Sequence, residues 1–392
     1  MLDKEYVIDC FEKQFGHRRC AVFTAPGRIN LIGEHTDYNE GFVLPASIDK
    51  CITVAIRTNH SDIVNAFSID YDAYISFDIN GPAPKEQWAK YIYGVIQEMK
   101  KKGGNPGGFN CVFGGDIPLG AGLSSSAALE SAFGYAINDK FGTWFSRRDL
   151  AVIGQMTEHN YVGVNCGIMD QFASLFGKAN EVIKLDCRSL EYEPVPFGLT
   201  GRKLVLIDTM VKHSLASSEY NVRRSQCEAG VAIIAKDKPK VKSLRDISLS
   251  LLEKYKDAMD PVVYKRCAYV INENKRLVSG CHDLEKGDYA AFGKKMFGSH
   301  DGLSKEYEVS CKELDFIVDI ARKDKGVLGA RMMGGGFGGC VISLVKDEAY
   351  DGYIADVKKA YKKEFKIEPR IIDVVIADGA KKWLAKKAIP EC

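Results

Sequence analysis

Apolar and polar positions follow two rhythms along the chain, and the switches between them outline the expected elements. Residues 2–15 carry apolar side chains at helical spacing and stop at Gly16, which predicts a first helix. Short runs at 21–24, 51–57, 64–68, 73–77 and 108–114 read as strands; CITVAIR at 51–57 alternates as a half-buried strand does. Trp88, Tyr91, Ile92, Val95 and Ile96 fall on one face of a helix over 88–100. Helices are expected at 127–138 and 146–161, the second opened by a weak capping box, Ser146 to Asp149. Strands follow at 182–186 and 203–208. Between them, Pro194, Pro196 and the glycines at 198 and 201 mark a junction, so a domain boundary is placed near residue 200. The expected domains are 1–200 and 201–392. The second half reads as helices at 219–236, 248–259, 261–279, 288–297, 310–323 and 348–365, with strands at 341–345 and 370–376. A lysine-rich polar connector occupies 236–242. Helices and strands are mixed without strict alternation, and no internal repeat occurs; the fold class is α+β.

Composition narrows the partners. The 392 residues are 46% hydrophobic and 27% charged, as in a soluble globular protein. A net charge of +2 gives no reason to expect nucleic acid or a membrane surface as partner. No apolar run approaches the ~18 residues of a membrane span, and the amphipathic start, MLDKEYVIDCFEKQFG, is unlike a secretory signal. Twelve cysteines are scattered without a C-x-x-C pair or zinc-like spacing, which suits a reduced, cytoplasmic setting. A monomer acting on small molecules is expected.

The chemistry concentrates in three glycine-marked loops. IPLGAGLSSSAALE at 117–130 follows a strand and opens a helix near Ser124 or Ser125. Gly120 and Gly122 can take positive φ and let a ligand approach the backbone. The serines at 124–126 can cap the helix or face an anion at its positive end. This reads as a phosphate cradle, although an ordinary turn with a serine N-cap looks the same. It is neither a Walker A loop nor accompanied by the protein-kinase motifs.

APGRINLIGEHTDYN at 25–39 gathers Arg28, Glu34, His35 and Asp37. A polyhydroxylated ligand would use that set, since carboxylates accept from hydroxyls and the histidine can donate. A surface loop in which Glu34 and Asp37 cap turns is the alternative. Glu158 and Asp170 lie twelve residues apart, with Gly163 and Gly167 between them. One could hold Mg²⁺ and the other could orient or deprotonate an attacking hydroxyl; a solvated Glu and an N-cap Asp would also fit. The glycines at 334–339 are too dense for a strand interior and are expected to let backbone approach the phosphate loop or the sugar. Trp88 reads as core, or as an aromatic flanking an adenine.

Taken together, the loops resemble the GHMP small-molecule kinases, and within them the galactose-phosphorylating branch. GRINLIGEHTDYN at 27–39 looks like that branch's sugar signature, PLGAGLSSSAALE at 118–130 like the ATP-binding motif, and RMMGGGFGGC at 331–340 like the third motif. EHNYVGVNCGIMDQ at 158–171 and SEYNVRR at 218–224 match further stretches. The resemblance implies a two-domain fold, with an N-terminal half like ribosomal protein S5 domain 2 and a ferredoxin-like C-terminal half. It implies ATP-dependent phosphorylation of α-D-galactose at the C1 hydroxyl. A kinase for a related sugar such as N-acetylgalactosamine, or a non-catalytic galactose sensor, are the alternatives. By the same resemblance, Asp170 would be the base and Arg28 would stabilise the transferring phosphoryl group. Glu34, His35, Thr36, Asp37, Asp170 and Tyr220 would hold the sugar. Ser126 and Glu158 would bind Mg²⁺. Gly120, Ala121, Gly122, Leu123, Ser124, Ser125 and Ser126 would wrap the ATP phosphates, with Ser68 and Trp88 on the base or ribose side.

Overall fold

The computed structural model describes residues 2–118, 120–212 and 216–384. Leu119 of the expected phosphate cradle and residues 385–392 of the expected second half lie outside the described residues.

The N-terminal half is built on a six-stranded sheet. Its strands are β1 (Ala21–Asn30), β3 (Pro45–Thr58), β4 (Ile63–Ser68), β5 (Ala73–Asp78), β6 (Phe109–Gly115) and β13 (Lys381–Trp383). The order is β13-β1-β3-β6-β4-β5, antiparallel except for the β4–β6 pair. Alternation along β3 and β6 sends Ala55 and Val112 to one face, where α1 (Lys4–Phe15) packs Val7, Ile8 and Phe11 against them. Val54, Ile56, Cys111 and Phe113 point the other way, into the main core with α2 (Gln87–Lys101), α3 (Ser125–Phe141), α4 (Arg147–Thr157) and α5 (Met169–Phe176). A small sheet of β2 (Phe42–Val43), β7 (Glu181–Asp186) and β8 (Tyr192–Pro196) flanks this core.

In the second half, β9 (Arg202–Lys212), β10 (Val327–Met332), β11 (Gly338–Lys346) and β12 (Arg370–Val374) form an antiparallel sheet ordered β10-β11-β9-β12. Both of its faces are apolar. Leu204, Leu206, Ile342 and Leu344 join the core of the first half, while Val205, Ile207, Val341 and Val345 face a second core. Each such fully buried side chain contributes roughly 1.5–3 kcal/mol, so the halves are joined by hydrophobic core. The second core is closed by α6 (Ala216–Ala235), α8 (Pro261–Glu285), α10 (Lys312–Lys323) and α11 (Tyr350–Phe365). Beside them, α9 (Tyr289–Lys305) packs on β10.

Several expectations are corrected. The strand expected at 21–24 runs to Asn30, because β3 pairs with it on both sides of a bulge between Pro26 and Arg28. The helix expected at 248–259 is the short α7 (Leu249–Glu253) followed by a single 3₁₀ turn at Lys256–Ala258. Those expected at 261–279 and 288–297 continue through Gly280 and Gly298, where burial against neighbouring elements overrides glycine's low helix propensity. The junction prolines 194 and 196 lie in β8, an edge strand that tolerates missing N–H donors. A boundary at residue 200 leaves out one return: β13 adds to β1 of the first sheet, with Trp383 opposite Val22.

Candidate functional site

Arg28 reaches the site because β1 lies directly against the loop before α3. The backbone N–H of Arg28 donates to Leu123 O at 3.1 Å, and a Cβ on Gly27 would stand only 2.7 Å from that same oxygen. Arg28 is 5% exposed. Its Nε and Nη2 donate to the two carboxylate oxygens of Asp170 at 2.8 and 2.9 Å, and Nη1 donates to Gly122 O at 2.5 Å. Burial alone would lower the Arg28 pKa, but Asp170 and Glu34 reverse this and raise it. Asp170 sits in the first turn of α5, the helix end that favours a negative charge.

Gly120 and Gly122 hold φ of 76° and 73°, as the sequence suggested, and Ser124 follows at 56°. Ser124 occupies the N-cap of α3 without capping it; its hydroxyl donates to Asp170 instead. The first amides of α3 are therefore left for an anion. Ala121 and Leu123 point into the core, Gly120 is exposed, and Ser125 and Ser126 are half-buried.

The sugar-type loop is held from both halves. Glu34, 2% exposed, accepts from Gly334 N at 2.7 Å, and Arg331 Nη2 lies 3.2 Å from Glu34 Oε1. His35 adopts φ 61°, with Nδ1 2.6 Å from Tyr38 Oη and Nε2 3.2 Å from Gly335 O. Burial, with Arg223 and Arg331 adding to it, pushes the His35 pKa down to about 3, so the ring is neutral. Asp37 is pushed up to about 7 by burial, with Asp170 adding to the rise. A Cβ on Gly167 would overlap the Asp37 carboxylate, so glycine there leaves Asp37 in its place. Tyr220 comes from α6 and lies beside His35, ring centroids 5.3 Å apart.

These groups line one cavity of about 300 Å³, with Arg28, Glu34, His35, Asp37, Ser126, Glu158, Asp170, Tyr220, Gly334 and Gly335 in its wall. Glu158, 6% exposed, is pushed up to about 7 by burial, while Ser126 pulls it down and Asp170 raises it. A buried carboxyl with a hydroxyl beside it, next to a second carboxylate, is a hard-oxygen donor set short of positive charge. Such a set fits Mg²⁺, which takes only one or two protein carboxylates. No cluster of three or more His, Cys, Asp or Glu able to hold a metal occurs among the described residues.

Three expected residues stand elsewhere. Thr36 is fully buried and its hydroxyl faces Gly33 O and Phe42 O at 2.8 and 2.6 Å, so it braces the loop and does not face the cavity. Ser68 and Trp88 are both buried near Phe113: Ser68 is registered opposite it across β4–β6, and the Trp88 ring lies 5.4 Å from its ring. Neither lines the cavity. Sequence reasoning assigned no role to Arg331, which is wholly buried under Glu34, although RMMGGG was in view. It also passed over Glu130 and Gln171, joined by a 2.9 Å bond between α3 and α5, where single polar residues in apolar helices give no periodic signal.

Comparison with known proteins gives the family and the fold. A galactokinase galactose-binding signature matches residues 9–58, the GHMP kinase N-terminal domain 90–178 and the GHMP kinase C-terminal domain 282–363. A galactokinase from Thermotoga neapolitana is 41% identical over 358 residues, covering 91% of this chain and 99% of that protein. One from Clostridium acetobutylicum is 40% identical over 388 residues, covering 97% and 98%. The crystal structure of Lactococcus lactis galactokinase complexed with galactose superposes with a TM-score of 0.93 at 34% identity, covering 97% of this chain and 99% of that one. Mevalonate kinase from Methanococcus jannaschii, at 18% identity and a TM-score of 0.64 over 91% and 98%, shares the fold.

Proposed function

We infer that this chain, which belongs to the galactokinase family of GHMP kinases, transfers the γ-phosphoryl group of ATP to the C1 hydroxyl of α-D-galactose. The observation that carries this reading is the Arg28–Asp170 pair, set in one cavity with the polyol-binding loop and the uncapped end of α3.

Hydrogen-bond capacity assigns the roles. A carboxylate offers about four lone-pair sites. Asp170 uses one at Oδ1, for Arg28 Nε, and two at Oδ2, for Arg28 Nη2 and Ser124. The site left is on Oδ1, and there the anomeric hydroxyl donates its proton, which Asp170 accepts as general base. Arg28 has five N–H donors in a fixed fork, of which Asp170 and Gly122 O take three. The remaining two face the phosphoryl group, where guanidinium charge counts most. Glu34 and Asp37 accept from sugar hydroxyls, and His35 and Tyr220 close the wall around the ring. Thr36 acts through the loop's backbone.

The amides and hydroxyls at 120–126 hold the ATP phosphates. Ser126 and Glu158 would hold Mg²⁺, which when bound would offset phosphate charge. The elevated Glu158 carboxyl supports this, since a cation is what would draw it back to the ionised form. The chain acts as a monomer whose two halves both line the site, Arg28 and Asp170 from the first and Tyr220 and Gly334 from the second. Eleven cysteines are free among the described residues, which supports a reducing cytoplasm. No helix among the described residues is long and apolar enough to cross a membrane.

The test is an ADP-release assay across sugars. Galactose-dependent ADP with kcat/KM well above that for N-acetylgalactosamine supports the reading. A preference for the acetamido sugar, or no sugar-dependent ADP at all, refutes it.

A further inference from the structure

Behind the cavity wall runs a chain of buried and half-buried hydrogen bonds that the phosphoryl-transfer chemistry does not use. It starts at Cys227 of α6, whose Sγ lies 3.3 Å from Tyr307 Oη. Tyr307 Oη is 2.9 Å from Tyr38 Oη, Tyr38 Oη is 2.6 Å from His35 Nδ1, and His35 Nε2 is 3.2 Å from Gly335 O. Cys227 and Tyr307 are fully buried, and His35 is 3% exposed.

The direction of every link follows from the last one. A backbone carbonyl only accepts, so Nε2 of His35 carries a proton. Burial, Arg223 and Arg331 keep the ring neutral, so Nδ1 has none and must accept. Tyr38 then donates to Nδ1 and accepts from Tyr307, and Tyr307 accepts from the Cys227 thiol. All the donors point toward the cavity, an arrangement in which each bond polarises the next. The path is anchored at both ends. Arg223 Nε and Nη2 donate to the carbonyls of Tyr307 and Glu308, each at 2.8 Å, and Asn39 Nδ2 donates to His35 O at 2.9 Å.

We propose that Tyr38 and Tyr307 are positioning residues that lock His35 as the neutral Nε2–H tautomer, so that its N–H holds Gly335 O, and with it the glycine stretch of the cavity wall that meets the sugar, in a fixed place. This rests on the sugar-kinase reading for the identity of the ligand, whereas the tautomer itself does not. The lock spans both halves of the molecule, since His35 and Tyr38 belong to the first and Tyr307, Cys227 and Gly335 to the second.

The test is ¹⁵N spectroscopy of histidine-labelled protein, with His35 assigned by its loss in His35→Gln, together with kinetics of Tyr38→Phe and Tyr307→Phe. In the unmodified protein we expect one neutral tautomer, protonated at Nε2. In Tyr38→Phe we expect Nδ1 to gain protonation, KM for galactose to rise about tenfold, and KM for ATP to move less than twofold. Tyr307→Phe, which keeps the Tyr38 donor, should shift galactose KM less. Protonation at Nδ1 in the unmodified protein overturns the proposal, whether or not the variants fold. So does an unchanged tautomer in folded Tyr38→Phe. The expected spectrum without galactose turnover would leave the lock standing and refute the assigned substrate, so the two failures are distinguishable.

Discussion

Asp37 shows how single side chains trade stability for binding. Its carboxyl is held near 7 by burial and by Asp170, against 3.8 in a free chain. The folded state therefore binds more protons than the unfolded one between those values, and this group's share of stability falls as pH rises through that window. Asp37→Asn removes the cost. We expect it to melt above the parent at pH 8 and level with it near pH 4, while galactose KM rises about 10- to 100-fold, as for loss of a charged hydrogen bond. A melting temperature at pH 8 at or below the parent's would contradict the raised carboxyl. Glu158, raised to about 7 by burial, should make turnover metal-dependent at low pH: activity falls as it takes up a proton, and raising Mg²⁺ moves that fall to lower pH, seen in pH–rate profiles at two Mg²⁺ concentrations. At this scale Arg28, Glu34, His35 and Asp37 were legible because they crowd into one short stretch. The fates of Thr36 and Ser124 were not. A hydroxyl's partner is set by what folds against it, here two carbonyls and Asp170.

Among the elements, the glycine hairpin between β10 and β11 carries the contact between halves. Gly334 and Gly336 have φ of 85° and 86°, and a Cβ on Gly336 would overlap Val309 O. Gly336→Ala should destabilise the protein by about 2–4 kcal/mol in denaturant melts, combining backbone strain with displacement of the Val309 segment. Gly167→Ala should act differently, because its φ is unstrained and its added methyl meets Asp37. There we expect galactose KM to rise with little change in the melting midpoint. The glycine density at 334–339 was readable as a close approach of backbone, and the structure puts Gly334 3.7 Å from Gly122 O by its would-be Cβ. The strand before it was not readable. Gly329 interrupts the apolar run of β10, and it is there because Gly293 of α9 crosses that strand too closely for a side chain.

For the whole molecule, the mixed α and β character was visible in the alternation of rhythms, and so were β1, β3, β4, β5 and β6 of the first sheet and β9, β11 and β12 of the second. Where the chain returns was hidden: β13 is three residues long and carries lysines, so nothing local announces that it closes the first sheet. Its attachment is specific, with Arg147 Nη2 donating to Ala380 O at 2.8 Å and Ala380 buried in the main core. Ending the chain at residue 378 should lower the melting temperature by about 5 °C or more, the loss of a few kcal/mol from a large domain; no change would show that β13 holds nothing. The claim on which function depends is that the carboxylate at 170 takes the proton of the galactose C1 hydroxyl. It is tested most directly by ³¹P-monitored turnover of Asp170→Ala beside the parent, with ATP affinity measured calorimetrically on both. We expect the parent to form galactose 1-phosphate in step with ADP, and the variant to lose a thousandfold or more in kcat with ATP affinity within threefold. Near-parental kcat in a folded Asp170→Ala protein would contradict it.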